Sequence, residues 1–410
     1  MPRNPVRLIF PGPVLFNHMP FADELIGTRT AADLTAAIKA AAPPTLPLAC
    51  LAAAPESFGA LGLRERSDAL RDALLADLPG TYFSFSDVIR TAAAGPLPFT
   101  GWLIWPVTSA VAAKAVADGG NEAFDDALAL LAGLTSRLTS EFALRTLLNA
   151  NLDRALAAIQ TWTDSEDEHI RRLASEGTRP FLPWSRRVPE ILARPGATIP
   201  ILEALHRDRS EYVRRSVANH LNDLGRQQPE LAVATAAAWL QPVNGGGHED
   251  SAHQDTAPED TAPDSGTANT ARLVRHGLRG LIKKGNPEAL TLLGFPPARV
   301  LVTGPELGSA AVPFGGTVTF SAQIRNPGPD PVRLAVDYVV HHRKANGTQT
   351  GKTFKLTSTT LAPGEEATVT RTHSFRAITT RRYYAGPHAI ELQINGVQSG
   401  RTEFMLLPAD

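Results

Sequence analysis

The chain has 410 residues, of which 43% are hydrophobic and 20% charged, so it is long enough for two or three folded domains and too apolar for a disordered protein. Its single cysteine, Cys50, excludes a disulfide framework and a cysteine-built zinc or iron–sulfur site, and it suits a reducing compartment. The net charge of −1 conceals an uneven distribution, since residues 243–270 carry six acidic side chains and no Lys or Arg. The remaining second half is mildly basic, and local charge decides whether a phosphate backbone can be bound.

The N-terminal residues 1–55 are rich in Ala and Pro, and their weak hydrophobic periodicity leaves them without an assigned structure. No targeting signal is apparent, because Pro11 and Pro13 interrupt the apolar run that begins at Leu8. Residues 91–113 carry no charge, but three prolines and two glycines interrupt them, so we interpret them as a buried core segment. These features predict a cytoplasmic protein with no membrane partner.

Apolar residues recur at spacings of three and four from about residue 60 to 294, which predicts a series of amphipathic helices. One motif repeats in this region: Ile170-Arg171-Arg172 returns 43 residues later as Val213-Arg214-Arg215 and, more weakly, as Val274-Arg275-His276. A period of about 40–47 residues is typical of HEAT and armadillo helix pairs. We therefore predict a HEAT-like α-solenoid over residues 56–296.

A low-complexity stretch separates the second and third copies of this motif. Residues 243–268 contain three consecutive glycines, two near-identical Asp-Thr-Ala-Pro units and no Lys or Arg. Such a composition buries too little apolar surface to offset the entropy of ordering the chain. The sequence therefore predicts a disordered acidic insertion in a loop.

Polar and apolar residues alternate after Phe295-Pro296 and predict about seven short strands in residues 297–410. Turn signals separate these strands at Gly315-Gly316, Asn346-Gly347, Pro363-Gly364 and Asn395-Gly396. This pattern predicts an immunoglobulin-like β-sandwich without the Cys–Trp–Cys core of antibody domains. His341 and His342 would point to opposite faces of one strand, which is poor metal geometry. The predicted fold class is thus a HEAT-like α-solenoid followed by a β-sandwich.

Two predicted helices carry charged residues in equivalent positions. On the helix predicted over residues 165–179, Arg172, Glu176 and Arg179 share one side at spacings of four and three. Because the motif repeats after 43 residues, Arg172 corresponds to Arg215 on the helix predicted over residues 210–224.

On that second helix, Arg215, Asn219 and Asp223 recur every four residues. Two carboxylates and two arginines would then occupy equivalent faces of successive repeat helices, and in a solenoid such faces line a groove. The alternative from the residues alone is that Arg–Glu and Arg–Asp pairs at these spacings are helix-surface salt bridges worth a few tenths of a kcal/mol. Trp184 would then be a core aromatic, His220 a packed histidine and Arg186-Arg187 a solvated turn.

Two long blocks make the chain recognisable. Residues 171–184, which include Leu182-Pro183-Trp184, and residues 212–223 both resemble the AlkC branch of the HEAT-like DNA alkylation repair glycosylases. Shorter matches at Phe99–Trp102 and Thr139–Arg145 extend the resemblance over about residues 60–294. Some members of this branch also carry a C-terminal immunoglobulin-like domain, which agrees with the strand pattern.

This resemblance implies a monofunctional DNA N-glycosylase in base excision repair. Its expected partner is double-stranded DNA containing alkylated bases, chiefly 3-methyladenine and 3-methylcytosine, and the base would be removed without full rotation out of the duplex. No metal or cofactor is expected, and the protein is expected to act as a monomer. The alternative is a DNA-structure-binding or protein-interaction repeat protein without catalytic activity.

The resemblance also implies roles for individual residues. Glu176 and Asp223 would stabilise the developing sugar cation and orient or deprotonate water, with Glu141 as a third carboxylate lining the site. Trp184 would pack against the lesion or the exposed deoxyribose. Four arginines would neutralise DNA phosphates or keep the acids charged, namely Arg172, Arg179, Arg186 and Arg215. Independently of the resemblance, the net positive charge of residues 297–410 and the arginines between residues 371 and 382 predict that the sandwich helps to bind DNA. The alternative is a passive stabilising module.

Overall fold

The structure, a computed structural model, describes residues 25–241, 266–378 and 381–408. The chain divides into two compact units. The first contains residues up to 158 together with 183–186, and the second contains 159–182 together with 187–410.

The described part of the first unit is helical. Its α-helices are α1 (Thr28–Ala41), α2 (Ala49–Ala53), α3 (Leu63–Asp77), α4 (Tyr82–Ala94), α5 (Ile104–Asp118), α6 (Asn121–Leu134), α7 (Glu141–Ala150) and α8 (Leu152–Thr161), in which the boundary between the units falls. Helices α1 and α2 lie in the N-terminal segment that received no assignment from its sequence pattern. The uncharged residues 91–113 span the end of α4, a connecting segment and the start of α5. Residues 103–108 and 110–112 are buried as predicted, whereas residues 94–98 are exposed. Among the described helices, none is both long and apolar enough to cross a membrane.

The second unit begins with helices and ends with strands. Its α-helices are α9 (Glu168–Gly177), α10 (Pro189–Ala193), α11 (Ile199–Leu205), α12 (Glu211–Leu224), α13 (Pro229–Leu240), α14 (Gly266–Gly277), α15 (Arg279–Lys283) and α16 (Pro287–Leu292). The predicted acidic insertion at 243–268 lies outside the described residues, except for residues 266–268, which begin α14. The predicted domain boundaries at 55/56 and 296/297 stay predictions.

The first arginine of the 43-residue repeat makes the same hydrogen bonds in the first two copies. Arg171 is buried and donates from Nη1 to the carbonyl oxygens of residues 165 and 166, at 2.8 and 2.9 Å. Arg214 is also buried and donates from Nη1 to the carbonyl oxygens of residues 208 and 209, at 2.7 and 3.1 Å. The acceptors are displaced by the same 43 residues, so each arginine attaches its helix to the loop that precedes it. In the third copy Arg275 is exposed, and the match is correspondingly weaker.

Eight strands form the two sheets of the sandwich. They are β1 (Leu301–Leu307), β2 (Ala311–Val312), β3 (Thr317–Arg325), β4 (Val332–Arg343), β5 (Gln349–Leu361), β6 (Glu366–Ser374), β7 (Gly386–Ile394) and β8 (Val397–Leu406). One sheet has the order β1-β3-β6 and the other the order β2-β8-β7-β4-β5. Phe320, Tyr338 and Phe375 lie in the apolar core of the sandwich. The predicted fold class, helical repeats followed by an immunoglobulin-like sandwich, is confirmed.

The predicted turn at Asn395-Gly396 joins β7 to β8 and also anchors the sandwich to the last helices. Both residues have positive φ angles, 44° and 84°, as a type I′ hairpin requires. A Cβ added to Gly396 would lie 2.4 Å from the carbonyl oxygen of Gly285, which follows α15. Nδ2 of Asn395 donates to the carbonyl oxygen of Pro296 at 2.7 Å. The two backbones therefore approach each other to a distance that only glycine permits.

Substitution Gly396→Ala should lower the free energy of unfolding by more than about 2 kcal/mol, because it adds overpacking against a backbone to the strain of a positive φ. Gly347→Ala is the matched control, since Gly347 also follows an Asn in a hairpin and has φ 82°, but a Cβ there would meet nothing within 4 Å. Its cost should be about 1 kcal/mol, from strain alone. Urea unfolding measures both, and equal losses would contradict the close approach.

Three histidines are buried at one end of the sandwich. The ring centroids of His373 and His388 lie 6.0 and 5.8 Å from that of His342. Burial, reinforced by the charges of Arg381 and other cations, lowers the pKa of His342 to about 3 and that of His373 to about 4. Burial also lowers the pKa of His388. These rings are therefore neutral in the folded protein at neutral pH.

The stability of the sandwich should fall as the pH is lowered from 7.5 to 5. A histidine whose folded pKa lies below its unfolded value of about 6.5 binds a proton only in the unfolded chain within that interval. His342 and His373 should each cost about 2 kcal/mol at pH 5. Urea unfolding at both pH values measures the effect, and His373→Gln should reduce the pH dependence. If the pH dependence of stability is unchanged in His373→Gln, the lowered pKa of His373 is contradicted.

Candidate active site

Glu176 and Asp223 lie in the last turns of α9 and α12, the two helices that carry the repeated motif. Asp167 caps α9 by accepting a hydrogen bond from the backbone N–H two residues later at 2.8 Å. Ser210 is the N-cap residue of α12, but its hydroxyl donates to the carboxylate of Glu168 and accepts no hydrogen bond from the N–H groups of its own helix. Helix α9 is shorter than the predicted 165–179, whereas α12 follows directly on Ser210 and ends at Leu224, as predicted.

Arg179 joins the two carboxylates. Because α9 ends at Gly177, Arg179 lies beyond the helix, and its guanidinium reaches acids on both helices. Nη1 donates to Oε1 of Glu176 at 2.5 Å, and Nε donates to Oδ2 of Asp223 at 2.9 Å. All three side chains are buried, and Asp223 is 0% exposed. Burial alone would lower the pKa of Arg179, but the two carboxylates outweigh it and the pKa is raised.

Both oxygens of Glu176 are engaged within the second unit. Oε1 accepts from Arg179 and also lies 3.8 Å from Nη2 of Arg172. Oε2 accepts a hydrogen bond from the hydroxyl of Ser216 at 2.7 Å. Arg172 in turn lies 5.4 Å from the ring centroid of Tyr212. Glu176 is therefore fixed by a cation on one side and a hydroxyl on the other.

Asp223 differs from Glu176 in having one oxygen without a hydrogen bond. Its Oδ1 is buried and has no hydrogen-bond partner among the described residues. Arg226 forms an ion pair with this oxygen at 3.6 Å. The guanidinium of Arg226 lies over one side of the Phe181 ring at 5.2 Å, and that of Arg187 lies over the same ring at 4.6 Å.

A third guanidinium extends the positive charge around Asp223. Arg279 donates to the side-chain oxygen of Asn219 at 2.9 Å. Burial is the largest effect on Arg279 and lowers its pKa. Attraction to Asp223 raises that pKa, and repulsion from Arg179 and Arg226 lowers it. The site therefore combines buried acids with a surplus of cations, which suits an anionic polymer such as nucleic acid.

His220 is a packed histidine, as the structural interpretation of the sequence predicts. Its Nδ1 donates to the carbonyl oxygen of Ser175 at 3.0 Å, which leaves Nε2 to accept from the hydroxyl of Thr198 at 3.1 Å. The side chain is fully buried. A ring with both nitrogens engaged in this way supports the packing of α12.

Arg215 does not share the environment of Asp223, although both were predicted on one face. It is exposed and forms an ion pair with Glu211 at 2.6 Å, whereas Asp223 is fully buried. The helix-surface alternative therefore describes Arg215 correctly. It is wrong for Glu176, Arg179 and Asp223, because the bridge among them is buried.

Three predicted site residues belong to the first unit. Glu141 is the first residue of α7, is buried, and accepts a hydrogen bond from the hydroxyl of Thr139 at 2.9 Å. Trp184 is 61% exposed and has a left-handed φ of 58°, so the alternative of a core aromatic is wrong. Arg186 is exposed, and its carbonyl oxygen accepts from Nε of Arg145 at 3.0 Å.

Sequence reasoning missed several residues that complete the site. Arg226 follows Asp223 by three residues, a spacing that could have signalled the ion pair. Ser216 and Glu176 are 40 residues apart, and Arg279 lies beyond the acidic insertion, so no local spacing indicates their contribution. No group of three or more His, Cys, Asp or Glu that could hold a metal ion occurs in the described ranges.

Comparisons with known proteins agree with helical repeats that are followed by an immunoglobulin-like domain. The AlkC alkylpurine DNA glycosylase of Pseudomonas fluorescens, solved bound to DNA containing an abasic-site analogue, is 30% identical. The structural alignment covers 95% of the present chain and 100% of the Pseudomonas fluorescens AlkC chain, with a TM-score of 0.78. The chain belongs to the AlkC family.

A second relative of this AlkC-family chain is the uncharacterized protein YhaZ of Bacillus subtilis. It is 30% identical over 352 residues, which make up 86% of this chain and 89% of the relative. Residues 301–408 match the family described as the C-terminal Ig-like domain of the uncharacterised protein YhaZ. The sandwich therefore corresponds to that Ig-like domain.

Replacing Arg179 by Met should lower the free energy of unfolding by about 3–5 kcal/mol, because two buried carboxylates lose their shared cation. Arg215→Met provides the control, since it removes an exposed ion pair whose loss should cost no more than about 1 kcal/mol. Denaturant unfolding measures both variants. Similar losses would show that the bridge does not carry the predicted stability.

Proposed function

We propose that this chain is a monofunctional DNA glycosylase that removes N-alkylated cationic bases from double-stranded DNA. The observation that carries the proposal is the buried bridge in which Arg179 joins Glu176 to Asp223. Its support from comparison is the 30% identity to an alkylpurine DNA glycosylase over the full length of that protein.

The chemistry of the substrate explains why acids are needed. An alkylated base such as 3-methyladenine carries a positive charge, so it leaves as a neutral molecule with the electron pair of the N-glycosidic bond. Positive charge then develops on the deoxyribose, and a water oxygen forms the new bond to the anomeric carbon. Fixed carboxylates in a desolvated site stabilise that cation and accept the proton that the water loses. Glycoside hydrolases use paired carboxylates for related reasons.

The hydrogen bonds favour different roles for the two acids. Asp223 has a buried Oδ1 that accepts no hydrogen bond among the described residues, so we propose that the nucleophilic water donates to this oxygen once DNA is bound. Both oxygens of Glu176 already accept hydrogen bonds, from Arg179 and Ser216. We therefore assign proton acceptance to Asp223 and electrostatic stabilisation of the sugar cation to Glu176.

Other residues would bind the DNA and the lesion. Arg172, Arg186 and Arg215 would neutralise backbone phosphates, which fixes the protein on the duplex without selecting a sequence. Trp184 is exposed and held at a positive φ that a bulky side chain rarely adopts, a form of strain that clusters at binding sites. It would contact the lesion or the deoxyribose, and Glu141 would act as a third carboxylate.

Purified protein should release 3-methyladenine from methylated duplex DNA, measured by chromatography of the free base. Glu176→Gln and Asp223→Asn should each slow release by roughly 100-fold or more, since each removes a fixed charge that faces the transition state. Glu211→Gln provides a control on α12, because Glu211 is exposed and pairs only with Arg215 among the contacts described above. It should release the base at the unsubstituted rate.

Two outcomes would contradict this proposal in different ways. Release that persists in both Glu176→Gln and Asp223→Asn would show that other groups perform the chemistry. Tight binding of methylated DNA without any release by the unsubstituted protein would favour the alternative, a non-catalytic protein that recognises DNA structure.

A further inference from the structure

A cleft in the sandwich domain gathers positive charge away from the candidate active-site residues. Its volume is about 330 Å³, within the range of small-molecule sites. It lies between the β4–β5 hairpin and the segment 381–384. No acidic side chain lines it, whereas five basic residues do: Arg343, Lys344, Lys352, Arg381 and Arg382.

Among the described residues, no carboxylate pairs with these five cations. None of them forms a salt bridge within the parts of the chain that the structure describes. The pKa of Lys352 is lowered, first by burial and then by the charges of Arg381 and Lys283. Cations that lie around one cleft repel one another, and an anion that binds among them offsets this repulsion.

A glycine leaves the space that one of the arginines occupies. Gly386 begins β7 with φ +125°, and a Cβ at this position would lie 1.8 Å from Nη1 of Arg343. The guanidinium therefore occupies space that any other residue at 386 would fill. At the opposite side, Arg382 lies over the ring of Tyr384 at 5.4 Å.

A buried histidine holds one of the cleft arginines. His342 lines the cleft and is 8% exposed. A guanidinium can only donate, so Nε2 of His342 accepts the hydrogen bond from Arg381. This contact fixes Arg381 at the cleft that it lines.

We propose that this cleft binds a phosphate monoester. A monoester carries up to two negative charges and presents three oxygens, which match converging cations on several sides of a concave site. A phosphodiester within a strand carries one charge and exposes two oxygens, so an open surface suits it better. The ligand is either a free nucleotide or the 5′-phosphate at the end of a DNA strand. The inference does not depend on glycosylase activity.

Calorimetric titration of the full chain with inorganic phosphate and with dAMP tests the site directly. Both should bind, and Arg343→Gln and Arg382→Gln should each weaken binding by roughly tenfold, the loss expected for one charge-assisted hydrogen bond. Arg325→Gln is the matched control, because Arg325 is an exposed basic residue of the same domain outside the cleft. Thermal unfolding should show that all three variants fold.

Oligonucleotides with a 5′-phosphate or a 5′-hydroxyl distinguish the two sources. Tighter binding of the phosphorylated strand, lost in Arg343→Gln, would identify the strand end as the ligand. Equal binding of both strands together with variant-sensitive binding of dAMP would identify the free nucleotide. Phosphate and dAMP affinities that are unmeasurable, or unchanged in both cleft variants, would overturn the proposal.

Discussion

The buried guanidinium of Arg179 is the interaction on which the candidate site depends. Two carboxylates without a cation between them would repel each other and would lose their hydration without compensation. Arg179 removes both costs at once, because Nη1 binds Glu176 and Nε binds Asp223. The same bridge that makes the burial tolerable also fixes the distance and orientation of the two acids. Stability and chemistry therefore rest on one side chain.

The helical repeat explains how two acids far apart in sequence come to share that cation. Arg171 and Arg214 attach α9 and α12 to their preceding loops by equivalent hydrogen bonds, so the two helices are placed by the same device. The last turn of each helix presents an acid, although Asp223 lies one helical turn beyond Asn219, the residue that corresponds to Glu176 in the repeat. The repeat supplies the scaffold, and the residues that differ between its copies supply the site.

Much of the fold and part of the site follow from the sequence. Alternation in the C-terminal part predicted the strands, and the Asn395-Gly396 turn formed as its dihedral preference requires. The repeat predicted the helices that carry Glu176 and Asp223. Spacing could not show that Arg179 leaves its helix to bridge them, or that Ser216 completes the environment of Glu176. Such contacts join residues about 40 positions apart and depend on tertiary packing, which local periodicity does not encode.

A double-mutant cycle on base release tests most directly whether the two acids act as one unit. Groups that work together lose their function when either is removed, so their effects do not multiply. The excision rate of 3-methyladenine should therefore be no lower in the variant carrying both Glu176→Gln and Asp223→Asn than in the slower of the single variants. If the fold-losses in excision rate of the two single variants multiply in the double variant, Glu176 and Asp223 act independently. That result would contradict the claim that the Arg179 bridge makes them one unit.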